Sequence, residues 1–295
     1  MTVFAMIFPG QGSQKVGMLA QLAAVNTVVK NTFDEASAIL GYNLWQCVQH
    51  GPAAELNQTC YTQPALLAAS VAIWRVWQQN NGRLPVLLAG HSLGEYSALV
   101  CSGSLNFKIA MKLVALRGQL MQEAVPPGCG AMSAIIGLNN DSIADICKNI
   151  ASNQVVLPVN FNSSGQVIIA GHKEAVELAS IACKKAGAKI AQRLPISIPS
   201  HCYLMKPAAE KLAEALELIT FSVPRIPVIN NVNVCIEKEP AAIRKALVRQ
   251  LYNPVRWTEI VEYLETKNIK YLLEVGPGKV LTGFKNIRRY LSSLQ

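Results

Sequence analysis

Apolar residues along this chain gather into short unbroken runs and longer periodic stretches, and the two kinds alternate. Val3 to Phe8 is an apolar run that stops at Pro9-Gly10-Gln11-Gly12, the profile of a buried strand closed by a turn. Helical periodicity follows over about 14–40 and 64–79. Leu84-Pro85-Val86-Leu87-Leu88-Ala89 is a second apolar run, closed by Gly90, and a helical stretch begins after Ser92. Another helical pattern covers about 107–124. Strand then helix, repeated, predicts an α/β fold with a parallel sheet.

The texture changes after Pro126-Pro127-Gly128. Ala131–Leu138 reads as a strand, Asp141–Ala151 as a helix capped by Asn139 or Asn140, and Val155–Phe161 and Gln166–Gly171 as strands around Asn162-Ser163-Ser164-Gly165. Lys173–Ala186 continues as a helix and Lys189–Ile196 as a strand. That order, βαββαβ, predicts a ferredoxin-like subdomain over 127–197. From 198 the first pattern resumes, with helices near 203–219, 240–252 and 257–267 and strands at Val228-Ile229-Asn230 and Tyr271–Val275. The main domain, 1–126 with 198–295, is therefore discontinuous.

Composition narrows the class. Of 295 residues, 51% are hydrophobic and 15% charged, which supports a large core and excludes a disordered chain. The longest apolar stretch, Pro64 to Trp74, is too short for a bilayer, and the N-terminus lacks the basic flank of a signal peptide. A cytoplasmic protein with no membrane role is expected. Eight scattered cysteines without a C-x-x-C pair argue for reduced core residues and against a metal site. The net charge is +9, with clusters at Lys184, Lys185, Lys189 and Arg193 and at Lys279, Lys285, Arg288 and Arg289. No aromatic-basic motif points to nucleic acid. Two readings stay open: a solvated basic face, or a surface that steers an acidic protein or a phosphorylated cofactor.

The candidate chemistry lies in Gly90-His91-Ser92-Leu93-Gly94, a G-x-S-x-G pattern between a buried strand and a helix. A sharp turn there exposes Ser92 as a nucleophile, small neighbours let the turn close, and the Leu93 N–H can donate to an oxyanion. A serine needs a base, and the chain has four histidines. His50 lies in a turn, His172 at a helix start as a cap or a solvated side chain, and His91 points away from Ser92 toward a pocket wall. Elimination leaves His201, in Ile198-Pro199-Ser200-His201. Of the acids between nucleophile and histidine, Glu95, Glu123, Asp141, Asp145, Glu174 and Glu177 read as residues mostly on helical surfaces, so a dyad without a carboxylate is expected. Arg117 ends an apolar helical stretch, where a surface arginine is the plain reading.

These residues sit within segments that resemble the bacterial malonyl-CoA:acyl carrier protein transacylases from end to end. The likeness is carried by Phe8-Pro9-Gly10-Gln11-Gly12-Ser13-Gln14, Tyr61-Thr62-Gln63-Pro64-Ala65-Leu66, Gly90 to Tyr96, Arg117-Gly118 with Met121-Gln122, and Asn160-Phe161-Asn162 with Gly165-Gln166. It continues through Pro199-Ser200-His201, Gln250-Leu251 with Pro254-Val255-Arg256-Trp257, and Glu274 to Gly278. The resemblance implies a hydrolase-like α/β fold and a ping-pong transfer of malonyl from malonyl-CoA, through Ser92, to the phosphopantetheine thiol of an acidic acyl carrier protein. It implies His201 as base and the backbone amides of Gln11 and Leu93 as the oxyanion hole. The Gln250 carbonyl would orient His201, Arg117 would hold the malonyl carboxylate, and Asn160 and Gln166 would contact the pantetheine or nucleotide or serve as structural polar residues. No permanently bound cofactor is implied. Rival readings are a serine hydrolase or thioesterase with the same elbow, a binding subunit with a relic site, and a transferase for a branched extender such as methylmalonyl. The small residues before His201 leave that last reading open.

Overall fold

The computed structural model describes residues 3–196 and 198–284. Among the described residues, eight strands form two sheets: β1 (Phe4–Phe8), β2 (Leu87–Gly90), β3 (Gly130–Ile136), β4 (Val156–Ser163), β5 (Gln166–His172), β6 (Ile190–Arg193), β7 (Val228–Ile229) and β8 (Tyr271–Glu274). The first sheet runs β7-β2-β1-β8 with parallel pairing throughout. All five residues of β1 are buried, as expected for a central strand covered on both faces. Strand alternation divides them between two cores. Met6, Phe8 and Leu88 face a layer that includes the helices Thr59–Gln79 and Phe107–Glu123, whereas Ala5, Ile7, Leu87 and Ala89 face the helix Trp257–Thr266.

The second sheet is antiparallel, in the order β4-β5-β3-β6. With the helices Asn140–Ile150 and Lys173–Lys185 this is the ferredoxin-like arrangement expected from the βαββαβ pattern. Its two faces also differ. Ile135, Val167 and Ile169 pack under the two helices, while Met132, Ile168 and Ala170 pack toward Val159 and Cys202 on the other face. The sheets are stitched together near β4: the Val255 N–H donates to the Val159 carbonyl at 2.8 Å and the Phe161 N–H to the Val255 carbonyl at 3.0 Å.

Several expectations about elements need correction. The pattern over 14–40 is two helices, Ala20–Val25 and Thr27–Leu40, because Asn26 between them is extended and Gly17 and Leu19 turn the chain with positive φ. Short helices at Leu44–His50 and Ala53–Leu56 were not expected. The helix expected from 64 begins at Thr59, so Pro64 lies inside it, near enough the start to cost little more than one helical hydrogen bond. Strand β2 begins at Leu87, three residues later than expected, and β6 shrinks to Ile190–Arg193. Of the second basic cluster, Lys285, Arg288 and Arg289 lie outside the described residues, and Lys279 is exposed. All eight cysteines are free, and five are buried. Among the described residues no helix is long and apolar enough to cross a membrane.

Candidate active site

Strand β2 delivers the chain to a turn that only glycine tolerates at two points. A Cβ on Gly90 would lie 1.9 Å from the Gly94 carbonyl carbon, and one on Gly94 would lie 2.0 Å from the Phe8 carbonyl oxygen. Bare backbone at both positions lets the helix Gly94–Cys101 start directly against β1. Ser92 at the apex takes φ +52°, a left-handed conformation that costs a non-glycine residue about 1 kcal/mol or more. Asn231, just after β7, clasps this turn. Its side chain accepts from the Ser92 N–H at 2.7 Å and donates to the Gly90 carbonyl at 2.6 Å.

His201 approaches from the segment after the second sheet, also at positive φ (+66°), and is buried. Its Nδ1 lies 2.7 Å from the Gln250 carbonyl, which can only accept, so Nδ1 carries the proton. Nε2 is thereby left as an acceptor, 2.8 Å from Ser92 Oγ. Burial, then the nearby Arg117 charge, pushes the imidazole pKa down to about 3, against a smaller opposing pull from the Gln250 carbonyl. The imidazole is therefore neutral, and able to take a proton, across the physiological range.

Arg117 is 1% exposed, which corrects the plain reading of a surface arginine. It reaches the site because Gly118 lets its helix close on the start of Thr59–Gln79: a Cβ there would sit 2.8 Å from the Thr59 carbonyl. Nη1 donates to Gln63 Oε1 at 2.8 Å, and Nη2 to Gln250 Oε1 at 3.0 Å and to Ser92 Oγ at 3.3 Å. The guanidinium also lies 5.3 Å from the Tyr96 ring centroid. Burial lowers the guanidinium pKa, while Tyr96 and Glu95 raise it in part.

A cavity of about 210 Å³ opens over Ser92. Gln11, Leu93, Arg117, Asn160, Gln166 and His201 all line it, so these six expected site residues converge, with Gln250 directly behind. The backbone N–H groups of Gln11 and Leu93 donate to no other described residue. Asn160 Oδ1 is buried without a partner among the described residues, a demand that a donor entering the cavity would meet. His91 does line the cavity, its Nε2 2.9 Å from Asn162 Oδ1. His172 occupies the N-cap position of the helix Lys173–Lys185, but its side chain turns elsewhere: its Nδ1 accepts from the Val155 N–H at 2.8 Å.

Two participants escaped the sequence reading. Glu95 is not on a helical surface but 3% exposed, accepting from the Asn231 N–H at 2.9 Å and from Gln250 Nε2 at 2.8 Å. Burial pushes its carboxyl up to about 7, opposed by those two hydrogen bonds and the Arg117 charge. Asn231 itself had a faint signal, a polar pair at the end of a buried strand. Among the described residues, no group of three or more His, Cys, Asp or Glu is arranged to hold a metal.

Comparison with known proteins bears on the same site. A model of the acyl transferase domain matches residues 5–286. The chain is 66% identical over 283 residues to the malonyl CoA-acyl carrier protein transacylase of Salmonella typhimurium, covering 96% of this chain and 92% of that protein. It is 60% identical to the transacylase of the same name in Haemophilus influenzae, covering 100% and 94%. A solved malonyl-transacylase in complex with its type II PKS acyl-carrier protein superposes with a TM-score of 0.96 at 64% identity, covering 98% of this chain and 93% of that one. An acyl carrier protein S-malonyltransferase from Vibrio cholerae gives 0.94 at 62%, covering 100% and 95%. With a strand-to-helix serine, a neutral histidine and a buried arginine in one cavity, the chain belongs to the acyl transferase domain family and, within it, to the malonyl CoA-acyl carrier protein transacylases.

Proposed function

We propose that this chain moves malonyl from malonyl-CoA to the phosphopantetheine thiol of acyl carrier protein, in the cytoplasm, as a step that supplies fatty acid synthesis. The observation that carries the reading is the Arg117 guanidinium, buried and 3.3 Å from Ser92 Oγ. An arginine so close to a nucleophile selects an acyl group that ends in a carboxylate, because the planar guanidinium can donate two parallel hydrogen bonds to it.

The steps follow from the geometry. Ser92 Oγ attacks the thioester carbonyl carbon while His201 Nε2 takes the hydroxyl proton. The oxyanion accepts from the N–H groups of Gln11 and Leu93, and the imidazolium is steadied by the Gln250 carbonyl. Collapse breaks the C–S bond, and His201 returns the proton to the departing coenzyme A sulfur. In the second half the carrier's thiol gives its proton to His201 and attacks the malonyl-serine; the C–Oγ bond breaks and Ser92 regains the proton. No resident cofactor is required.

Asn160 and Gln166 take the amides of the pantetheine arm, which suits the unpartnered Asn160 Oδ1. The insert, 127–197, and the discontinuous body, 1–126 with 198–295, act as the two walls of the cleft, each with its own apolar core. Incubation with malonyl-CoA followed by peptide mass mapping tests the whole reading. A malonyl adduct on Ser92 that discharges onto acyl carrier protein is expected; discharge to water alone would favour a hydrolase. Running methylmalonyl-CoA in parallel settles how much of a branch the space beside Ser200 admits.

A further inference from the structure

Gln250 commits its backbone carbonyl and both ends of its side-chain amide to the site. Its backbone carbonyl accepts from His201, its Nε2 donates to the Ser92 carbonyl at 3.1 Å and to Glu95 at 2.8 Å, and its Oε1 accepts from Arg117. A side-chain amide can be turned over, so something must decide which end faces the arginine. The Ser92 carbonyl can only accept and favours the same end of the amide, at a longer distance than Glu95 does. A carboxylate can only accept, so Glu95 holds the NH2 end and leaves the oxygen for a guanidinium that can only donate. The same carboxylate oxygen holds the backbone of Asn231, whose side chain clasps the Ser92 turn.

The buried arginine makes this arrangement useful. Among the described residues Arg117 forms no direct ion pair, and its hydrogen-bond partners are two amide oxygens and the nucleophile. A carboxylate in direct contact would occupy the donors that a substrate carboxylate needs. Glu95 stands one amide away and reaches Arg117 only through Gln250, without covering the guanidinium.

We propose that Glu95 is a positioning residue for substrate selection: through Gln250 it orients the donors of Arg117, so that the guanidinium stays free for the carboxylate of the incoming acyl group. This rests on the transacylase reading above. The test compares wild type, Glu95→Met and Glu95→Gln in single-turnover acylation of Ser92 by malonyl-CoA and by acetyl-CoA. Methionine keeps the volume and removes the acceptor, so malonyl acylation should fall about tenfold more than acetyl acylation, which loses only the tie to Asn231. Glutamine keeps an oxygen able to accept both N–H groups, and it should restore malonyl acylation to within about threefold. Equal losses for the two acyl groups, or a glutamine variant no better than methionine, would overturn the proposal. If the methionine variant does not fold, Glu95→Asp, one methylene too short to reach Gln250, is read in the same ratio. A wild-type chain that never acquires malonyl would remove the transacylase reading together with this one; a malonyl-active wild type with unselective losses would remove only the role of Glu95.

Discussion

The two walls of the cleft are held in different ways. On the side of the parallel sheet, the residues around Ser92 are tied to one another by close backbone packing and a connected set of side-chain hydrogen bonds. Gly90 and Gly94 pack against backbone with no room for a methyl group, Asn231 clasps the turn, and Gln250 ties serine, histidine, arginine and Glu95 together. The side supplied by the antiparallel sheet is softer. It presents Met132, Ile168 and Leu194, together with Asn160 and Gln166, and leaves Asn160 Oδ1 unpartnered. Chemistry needs reacting atoms held to a fraction of an ångström, whereas recognition of a long flexible arm tolerates a more forgiving surface. Substitutions on the first wall should therefore hurt rate or acyl selectivity, and those on the second should hurt binding of the thiol carrier.

Ser92→Ala gives the largest expected effect. It removes the atom that carries malonyl, so transfer should fall by about a thousandfold or more with no adduct in the mass spectrum. Transfer that persisted would mean that acyl groups pass directly between thiols, and the rigid wall would lose its purpose. Arg117→Ala comes next. Malonyl acylation should drop by about a hundredfold, while acetyl acylation holds or improves, because the two charge-assisted hydrogen bonds are specific to the carboxylate. Proportional losses for both thioesters would make Arg117 a structural residue of the elbow.

The first wall was also the more legible in the sequence, for a physical reason. Gly90-His91-Ser92-Leu93-Gly94 encodes its geometry within five residues, since the glycines are required by contacts with each other and with β1. His201 could be reached by elimination, and the βαββαβ order of the insert by hydrophobic periodicity alone. What stayed hidden depends on tertiary neighbours. Glu95 follows the elbow on a helix whose every residue but Val100 is buried, and helical periodicity cannot mark an outer face where none exists. Asn231 lies 139 residues from the serine it clasps, and the side-chain bonds of Gln250 reach 133 to 158 residues along the chain. The carbonyl role of Gln250 came only with the family resemblance, because a backbone acceptor leaves no residue signature.

On the softer wall, Asn160→Ala should raise KM for malonyl-CoA by about three- to tenfold with kcat nearly intact, the signature of binding lost equally from ground and transition states. Thermal stability should hold or rise slightly, since the substitution removes a buried oxygen that has no partner among the described residues. A fall in kcat with KM unchanged would move Asn160 to the side of the chemistry and erase the contrast between the walls.

The smallest effect concerns pH and falls on the first wall, where His201 and Glu95 are buried beside Ser92. With His201 held at about 3, kcat/KM for acylation by malonyl-CoA should be flat from about pH 5 to about pH 8, with no inflection near the ordinary histidine value. Glu95, held at about 7, does titrate in that range, yet a proton on its Oε1 leaves both hydrogen bonds to Oε2 in place. Stability should respond where activity does not. As pH falls from about 6.5 toward 3, the unfolded chain takes up a proton on His201 that the folded chain refuses, so the His201 contribution declines. Glu95 acts in the opposite sense: its folded carboxyl keeps a proton that the unfolded one releases above about 4.5, so its contribution is full below that value and lost as pH rises through 7. Denaturant midpoints measured across the range should lose this alkaline slope in Glu95→Gln, while an acid limb in kcat/KM near pH 6.5 would mean that the wall around His201 is wet.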